Sequence, residues 1–308
     1  MILISEDVWG APFEELSKRR SIQQDADLWN DRTKLLAAIK DAEALVVRNR
    51  TQVTEELINA AKNLKVIARA GVGLDNIDVK AADKAGVVVV AGLGANALSV
   101  AELTLGLALA LRRNIVQHDL ATKSGEWVRT PGREISGSTW GLLGCGATGR
   151  ATANLLKGFN CKIIGYDPFF KGNSQIQMAS WDEVISKSDV ISVHMPATPE
   201  TVGSINASVF SKMKSDAILV NVGRGELVNE SDLVSALKSN EIAGAALDVR
   251  QSEPPTLGEL EKLDNLILTP HIAGITKESQ AAINKILVDN IELVLSGKSA
   301  THAVGANS

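Results

Sequence analysis

The chain has 308 residues, 45% of them hydrophobic and 22% charged, with a formal net charge of −4. That length supports two domains and a sizeable core, and the acidic balance excludes a basic face for nucleic acid. No apolar run reaches the ~18 residues of a membrane span; the longest, residues 98–111, is shorter and is interrupted by Glu102. The opening MILISEDVWG carries acids within its first ten residues, so it is expected to be the first strand of a cytoplasmic protein and not a signal peptide. Cys145 and Cys161 are the only cysteines and lack metal-ligand spacing. They are expected to be buried, reduced thiols, with a redox role for Cys145 as the lesser alternative.

In chain order, strands are predicted at 2–4, 44–47, 66–70 and 87–90, with helices at 33–40 and 54–61 between them, a small α/β domain. Residues 98–113 read as a long helix, with Arg112 and Arg113 suited to its C-terminal end. Residues 114–138 are expected to form an irregular arm packing on a neighbour, anchored by Trp127. A second α/β series follows, with strands at 141–143, 161–166, 190–194, 218–222, 243–247 and 266–268 and a helix at 230–238. The helix at 276–296 is long enough to return to the first domain, and the tail from 297 is expected to be loosely ordered. The fold class is therefore α/β, with two Rossmann-like doubly wound domains. A nucleotide-binding domain (98–284) is expected to be inserted into a discontinuous, flavodoxin-like substrate domain (1–97 and 285–308), with the site at the cleft.

The strand at 141–143 runs into Gly144-Cys145-Gly146-Ala147-Thr148-Gly149, then a helix, then a strand ending at Asp167, 18 residues beyond Gly149. This is the dinucleotide fingerprint in its proper context. The first glycine permits the turn, the second lets backbone approach a pyrophosphate, and the third lets helix and strand pack. The helix N-terminus offers N–H groups to phosphate, and Asp167 can accept hydrogen bonds from a ribose diol.

Three later strand ends each present one ionisable side chain. Arg224 stands between Gly223 and Gly225, where a planar fork can grip a carboxylate, although it could equally cap the next helix. Glu253 precedes Pro254 and Pro255, a setting that suits either a positioned side chain or an ordinary turn. His271 follows Thr269-Pro270, and a nearby carboxylate would raise its pKa. An isolated histidine is more often structural; three such residues around a dinucleotide site reverse that expectation.

With these motifs the chain resembles the D-isomer-specific 2-hydroxyacid dehydrogenases over nearly its full length. The resemblance runs through 70–78 (AGVGLDNID), 99–102 (SVAE), the fingerprint, 196–201 (PATPET), 221–225 (NVGRG), 246–249 (ALDV), 252–254 (SEP) and 269–274 (TPHIAG). It implies His271 as general acid/base, Glu253 as the carboxylate that tunes it, and Arg224 as the grip on the substrate carboxylate. Gly71, Val72 and Gly73 would offer N–H groups to that carboxylate. Asp248 would hold the nicotinamide carboxamide, and Gly144, Gly146, Ala147, Thr148, Gly149, Asp167, Thr201, Val222, Gly223, Arg224, His271 and Gly274 would complete the cofactor contacts. His194 is expected to be a packed histidine near them. No metal is implied. Many relatives carry a basic residue and isoleucine where this chain has Ala147 and Thr148, with Arg150 close by; residues 91–96 fit a hinge.

Asp167 followed by Pro168, with no arginine next to it, favours NAD as cofactor. Arg48 and Arg50, after the strand at 44–47, are either a solvated basic loop or the reader of a second anionic or polar group on a small 2-hydroxy or 2-oxo acid. The latter suits 3-phosphoglycerate, sulfolactate or glycerate/hydroxypyruvate, and the loop looks most like a sulfolactate-type branch. Formate dehydrogenases of this fold have glutamine where Glu253 stands. A corepressor or scaffold of this fold that binds NADH with little turnover is the alternative. The family resemblance further implies a homodimer through the nucleotide domains. Some phosphoglycerate dehydrogenases respond to serine through a C-terminal extension, and such control is not expected here.

Overall fold

The protein is described by a computed structural model covering residues 1–307. It divides into two compact units, Met1–Asn96 together with the chain from Ile275 onward, and Ala97–Gly274. The second crossing falls at 274/275, ahead of the 284/285 expected from sequence. The reason lies in the Lys277–Leu295 helix, one rod capped at its start by a Thr276/Ser279 capping box. Its Ile283, Leu287, Val288 and Ile291 pack with Ile2, Ile4, Val46 and Ala68 of the first unit, so almost its whole length belongs there.

The first unit is built on strands Ile2–Ile4 (β1), Ile22–Gln24 (β2), Ala44–Val47 (β3), Val66–Arg69 (β4) and Val88–Ala91 (β5), all parallel, in the order β2-β1-β3-β4-β5. This is the flavodoxin-like order. A short antiparallel strand, Ala303–Val304, extends it beyond β5. The tail is thus paired and not loose. Period-two alternation explains why one sheet needs two apolar layers. Leu3, Leu45, Ile67 and Val89 enter one core cluster, and their neighbours Ile2, Ile4, Val46, Ala68 and Val90 enter the other. Polar β2 (Ile-Gln-Gln) is a largely exposed edge, which is why it gave no sequence signal.

The second unit has seven parallel strands: Thr139–Leu143 (β6), Lys162–Tyr166 (β7), Gln177–Met178 (β8), Val190–Val193 (β9), Ile218–Asn221 (β10), Gly244–Leu247 (β11) and Leu266–Leu268 (β12). Their order β8-β7-β6-β9-β10-β11-β12 reverses direction between β6 and β9. Ligands in such sheets lie outside the strand C-termini at that reversal. The Ala97–Arg112 helix buries Val100, Leu107, Ala108 and Leu111 against Trp140, Leu142 and Val220 of this sheet. Residues 114–138 are not irregular throughout. Asn114 turns left-handed, at φ 52°, and starts a second helix, Ile115–Lys123, none of whose residues is buried. Trp127 beyond it is 81% exposed.

At the carboxyl end of β1, Glu6 is only 2% exposed. Its carboxylate accepts four backbone N–H bonds, from Arg48 (2.8 Å), Asn49 (3.2 Å), Arg50 (3.0 Å) and Thr51 (2.9 Å). Asn76 closes the same loop by donating to the Arg48 and Thr51 carbonyls. The loop after β3 is therefore wrapped around a buried anion. Removing that anion strands four N–H donors away from water. Glu6→Ala is expected to lower the unfolding free energy by roughly 3 kcal/mol, with Glu6→Gln losing less. Urea unfolding measures this, and a loss near zero for Glu6→Ala would refute the account.

Candidate active site

The glycine turn follows β6. Gly144 has φ +95°, and a Cβ there would lie 2.9 Å from the His194 backbone. A Cβ on Gly149 would meet the Gly144 carbonyl oxygen at 2.2 Å, so only glycine lets the Ala147–Leu155 helix start this close to the turn. Gly146 differs: a Cβ there would meet nothing within 4 Å. Its missing side chain keeps clear the space above the loop, as a dinucleotide pyrophosphate requires. These residues fit that group. Exposed Ala147 and half-buried Thr148 form the first helical residues.

Asp167 ends β7, and its carboxylate is already engaged. It accepts the N–H of Cys145 at 2.8 Å, of Phe169 at 2.8 Å and of Phe170 at 3.0 Å. Burial pushes its pKa up, but those three bonds and the charge of Arg150 outweigh this and hold it below the usual carboxylate range. No arginine adjoins Asp167 in sequence, and it is Arg150, from the glycine turn, that acts on it through space. Arg150 donates to the Cys145 carbonyl at 2.8 Å, and its guanidinium lies 5.6 Å over the Phe170 ring. The Cys145 thiol, buried and beside Asp167, is pushed up to about 12, which leaves it a poor nucleophile.

Three strand-end loops converge around His271. The imidazole Nδ1 lies 2.6 Å from Glu253 Oε2, and both side chains are partly exposed. The hydrogen bond that the ring donates to Glu253 raises the His271 pKa above its ordinary 6.5 against the opposing effect of burial. For Glu253, burial pushes upward, and the bonds from His271 and from the Arg250 N–H (3.0 Å) bring it below the usual range. Arg224 acts electrostatically on both partners, and its Nη1 donates to the Gly223 carbonyl at 2.9 Å. Gly225 lets this loop touch the next: a Cβ there would sit 1.9 Å from the Arg250 carbonyl oxygen.

His271 itself is left-handed, at φ 55°, a conformation non-glycine residues seldom adopt. Asp248 enforces it. Its carboxylate accepts the Thr269 hydroxyl (2.6 Å), the Ile272 N–H (2.9 Å) and the Ala273 N–H (2.8 Å), while its carbonyl accepts the His271 N–H at 2.7 Å. Asp248 is 1% exposed, and three of its roughly four lone-pair sites are taken. Half-buried Gly274 ends the same loop. Other cofactor candidates are also engaged internally. The Thr201 hydroxyl closes its own turn on the Pro196 carbonyl, buried Val222 bonds the Val193 carbonyl at 3.4 Å, and the Gly223 N–H bonds Asn221 Oδ1. His194, pushed down to about 3 by burial, is neutral, and its Nε2 lies 3.0 Å from Ser192 Oγ.

In the first unit, Arg50 stacks 4.8 Å over the Trp29 ring and Arg48 is half-buried. The Gly71 N–H is taken by the Arg69 carbonyl at 2.8 Å, so of the three N–H groups expected to meet a carboxylate, this one is engaged; Val72 and Gly73 follow in the same turn, both half-buried. Sequence reading missed Arg69, whose guanidinium lies over Gly71 where a Cβ would be 1.4 Å away. It also missed Glu230 and Glu261, which grip Arg250 at 2.9 and 2.7 Å and so fix the loop carrying Glu253. Glu230 opens the Glu230–Lys238 helix and Glu261 lies in a short 3-10 turn, and nothing local in the sequence marks either as a partner of Arg250. No group of three or more His, Cys, Asp or Glu able to hold a metal occurs among the described residues. Nor is any helix among them long and apolar enough to cross a membrane.

Residues 105–273 match the family described as D-isomer specific 2-hydroxyacid dehydrogenase, NAD binding domain. The chain belongs to this family. It is 38% identical over 314 residues to a D-3-phosphoglycerate dehydrogenase of Archaeoglobus fulgidus, covering 100% of this chain and 59% of that protein. It is 44% identical over 277 residues to one of Methanocaldococcus jannaschii, covering 88% and 53%. The chain thus spans little more than half the length of these relatives. A solved protein of Thermus thermophilus superposes with a TM-score of 0.92 at 31% identity, covering 99% of both chains.

The raised His271 pKa and lowered Glu253 pKa define a window in which both are charged. The imidazolium contribution is complete below the unfolded histidine pKa and is lost as pH rises through the raised folded value. The carboxylate contribution is lost as pH falls through the lowered Glu253 value. Glu253→Gln removes the main cause of the raised value, so the His271 titration seen by NMR is expected to move to lower pH. An unchanged titration would disprove the coupling.

Proposed function

We propose that the chain catalyses NAD-dependent interconversion of a D-2-hydroxy acid and its 2-oxo acid. The observation carrying this reading is the His271–Glu253 contact of 2.6 Å, held on a left-handed residue beside Arg224 at the strand ends of a dinucleotide sheet. Gly144, Gly146, Gly149 and Asp167 would hold the dinucleotide, with the remaining lone pair of Asp248 available to an amide N–H. When bound, that cofactor supplies the hydride added to C2 of the 2-oxo acid.

The chain's own groups do the rest. Arg224 pairs with the substrate carboxylate and polarises the carbonyl, a planar fork meeting a planar anion. His271 uses Nδ1 to face Glu253, which leaves Nε2 to deliver the proton to the carbonyl oxygen, and Glu253 stabilises the imidazolium beforehand. Reduction needs the protonated ring, so its rate falls as pH rises through the raised His271 pKa; oxidation runs the opposite way.

The second part of the proposal concerns substrate. In the first unit, Arg50 held against Trp29 and Arg48 on the Glu6-centred loop are assigned to a second anionic or polar group, with Val72 and Gly73 N–H groups assigned to the carboxylate. Substrates such as 3-phosphoglycerate, sulfolactate or glycerate suit this set. The D-3-phosphoglycerate dehydrogenases among the relatives support a phosphorylated hydroxy acid.

Homodimer formation through the second unit is part of the same reading. The exposed apolar side chains Ile115, Leu120, Trp127 and Val128 support it, because such a run is seldom left in water. Two free cysteines accord with a cytoplasmic protein.

NADH oxidation followed with hydroxypyruvate, 3-sulfopyruvate, phosphohydroxypyruvate, pyruvate and oxaloacetate tests the activity. Turnover of at least one is expected, and NADH binding without turnover of any would overturn the enzyme reading. Arg50→Ala is expected to raise KM about tenfold for the doubly anionic acids, with pyruvate little changed. Equal effects on both classes would remove Arg50 from substrate recognition.

A further inference from the structure

The main chain of Arg250 works in two directions. Its N–H donates to Glu253 Oε1 at 3.0 Å, and the other oxygen of that carboxylate meets His271 at 2.6 Å. Its carbonyl lies against Gly225, the residue after Arg224, where a Cβ would sit 1.9 Å from the oxygen. One short segment therefore borders both the Arg224 turn and the Glu253 turn. Packing does not set its onward path, because every residue from 251 to 259 is exposed, and buried apolar side chains resume only at Leu260.

The Arg250 side chain does set it. Only 10% exposed, its guanidinium donates from Nε and Nη2 to Glu230 at 2.9 and 3.1 Å, and from Nη1 to Glu261 at 2.7 Å. Each acid also holds backbone: Glu230 accepts the Gln251 N–H at 2.8 Å and Glu261 the Gly258 N–H at 2.7 Å. A planar fork bound along two edges fixes orientation in a way a point charge does not. We propose that Arg250 is a positioning residue, whose clamped side chain sets the segment that orients Glu253 toward His271 and backs the turn of Arg224. Proton transfer and substrate grip then depend on it together. This inference rests on the roles given above to His271, Glu253 and Arg224.

Loss of Arg250 has two effects of opposite sign on His271, whose charged neighbours are Glu253, Asp248 and Arg224. Deleting a cation and leaving Glu230 and Glu261 uncompensated would move the His271 titration to higher pH if only the field mattered; nearby Glu259 is already paired with Lys238 and Lys262. Releasing Glu253 moves it to lower pH, because the bond to Glu253 is the main cause of the raised value.

The titration would be followed by NMR in the full chain, unsubstituted and as Arg250→Met and Arg250→Lys, beside steady-state reduction of 2-oxo acids by NADH and calorimetric binding of NAD. Arg250→Met is expected to titrate at lower pH, with kcat about tenfold lower and KM for the acid about tenfold higher, and NAD affinity unchanged. Arg250→Lys keeps the charge and loses the fork, so it is expected to move the same way by less. A folded Arg250→Met protein whose titration stays or rises would overturn the proposal, as would lower thermal stability with kcat and KM unaltered. A matching loss of NAD affinity would mark general damage and overturn it too. Should Arg250→Met fail to fold, Arg250→Lys decides, since its field is unaltered, and an unmoved titration refutes the role. If the unsubstituted chain reduces none of the acids, the enzyme reading falls, and the titration alone decides whether Arg250 positions Glu253.

Discussion

A carboxylate that takes the unpaired N–H groups of a loop at a strand end is the interaction on which this molecule depends. Parallel strands finish with backbone donors that no neighbouring strand can satisfy, and buried donors without partners are costly. Three acids solve the problem in three places. Glu6 gathers the loop at 48–51, Asp167 gathers Cys145, Phe169 and Phe170, and Asp248 gathers Thr269, Ile272 and Ala273. Each therefore fixes a loop that carries candidate site residues. The sheets set where the loops begin, and the acids set their shape.

His271 shows what this achieves chemically. A left-handed histidine is unfavourable alone, and it persists only where its surroundings over-determine it. Here its own N–H, the next two N–H groups and the hydroxyl two residues earlier all end on Asp248. On the opposite loop, Arg250 is clamped by Glu230 and Glu261 and donates its N–H to Glu253. Both His271 and Glu253 are thus held by hydrogen-bonded frames of the chain's own making. A 2.6 Å contact between two partly exposed side chains owes its geometry to those frames and not to burial of the pair.

How much of this was legible in the sequence follows from the same physics. Buried strands such as Ala44–Val47 and Val88–Ala91 are continuous apolar runs, and both stand out. Ile22–Gln24, Gln177–Met178 and Ala303–Val304 lie at sheet edges and are short or polar, so local pattern carries no trace of them. Arg224, Glu253 and His271 were visible because glycine and proline mark their turns. The supports were not. Glu6 and Glu230 look like ordinary surface acids until the chain folds, since their partners lie 42 to 45 and 20 residues away. Arg69 was hidden by standing as the last residue of a strand, where a long side chain ordinarily reaches solvent.

Because the same device shapes each loop, an acid's further role is decided by what remains of it. Asp248 is buried and nearly saturated, so its chief effect on chemistry passes through His271. Asp167 is only half-buried and sits beside a guanidinium held in place by an aromatic ring and a carbonyl. A carboxylate in that position does two things with one charge. It satisfies the N–H groups that shape the turn after β7, and its fixed negative charge opposes a further anion at the same strand end.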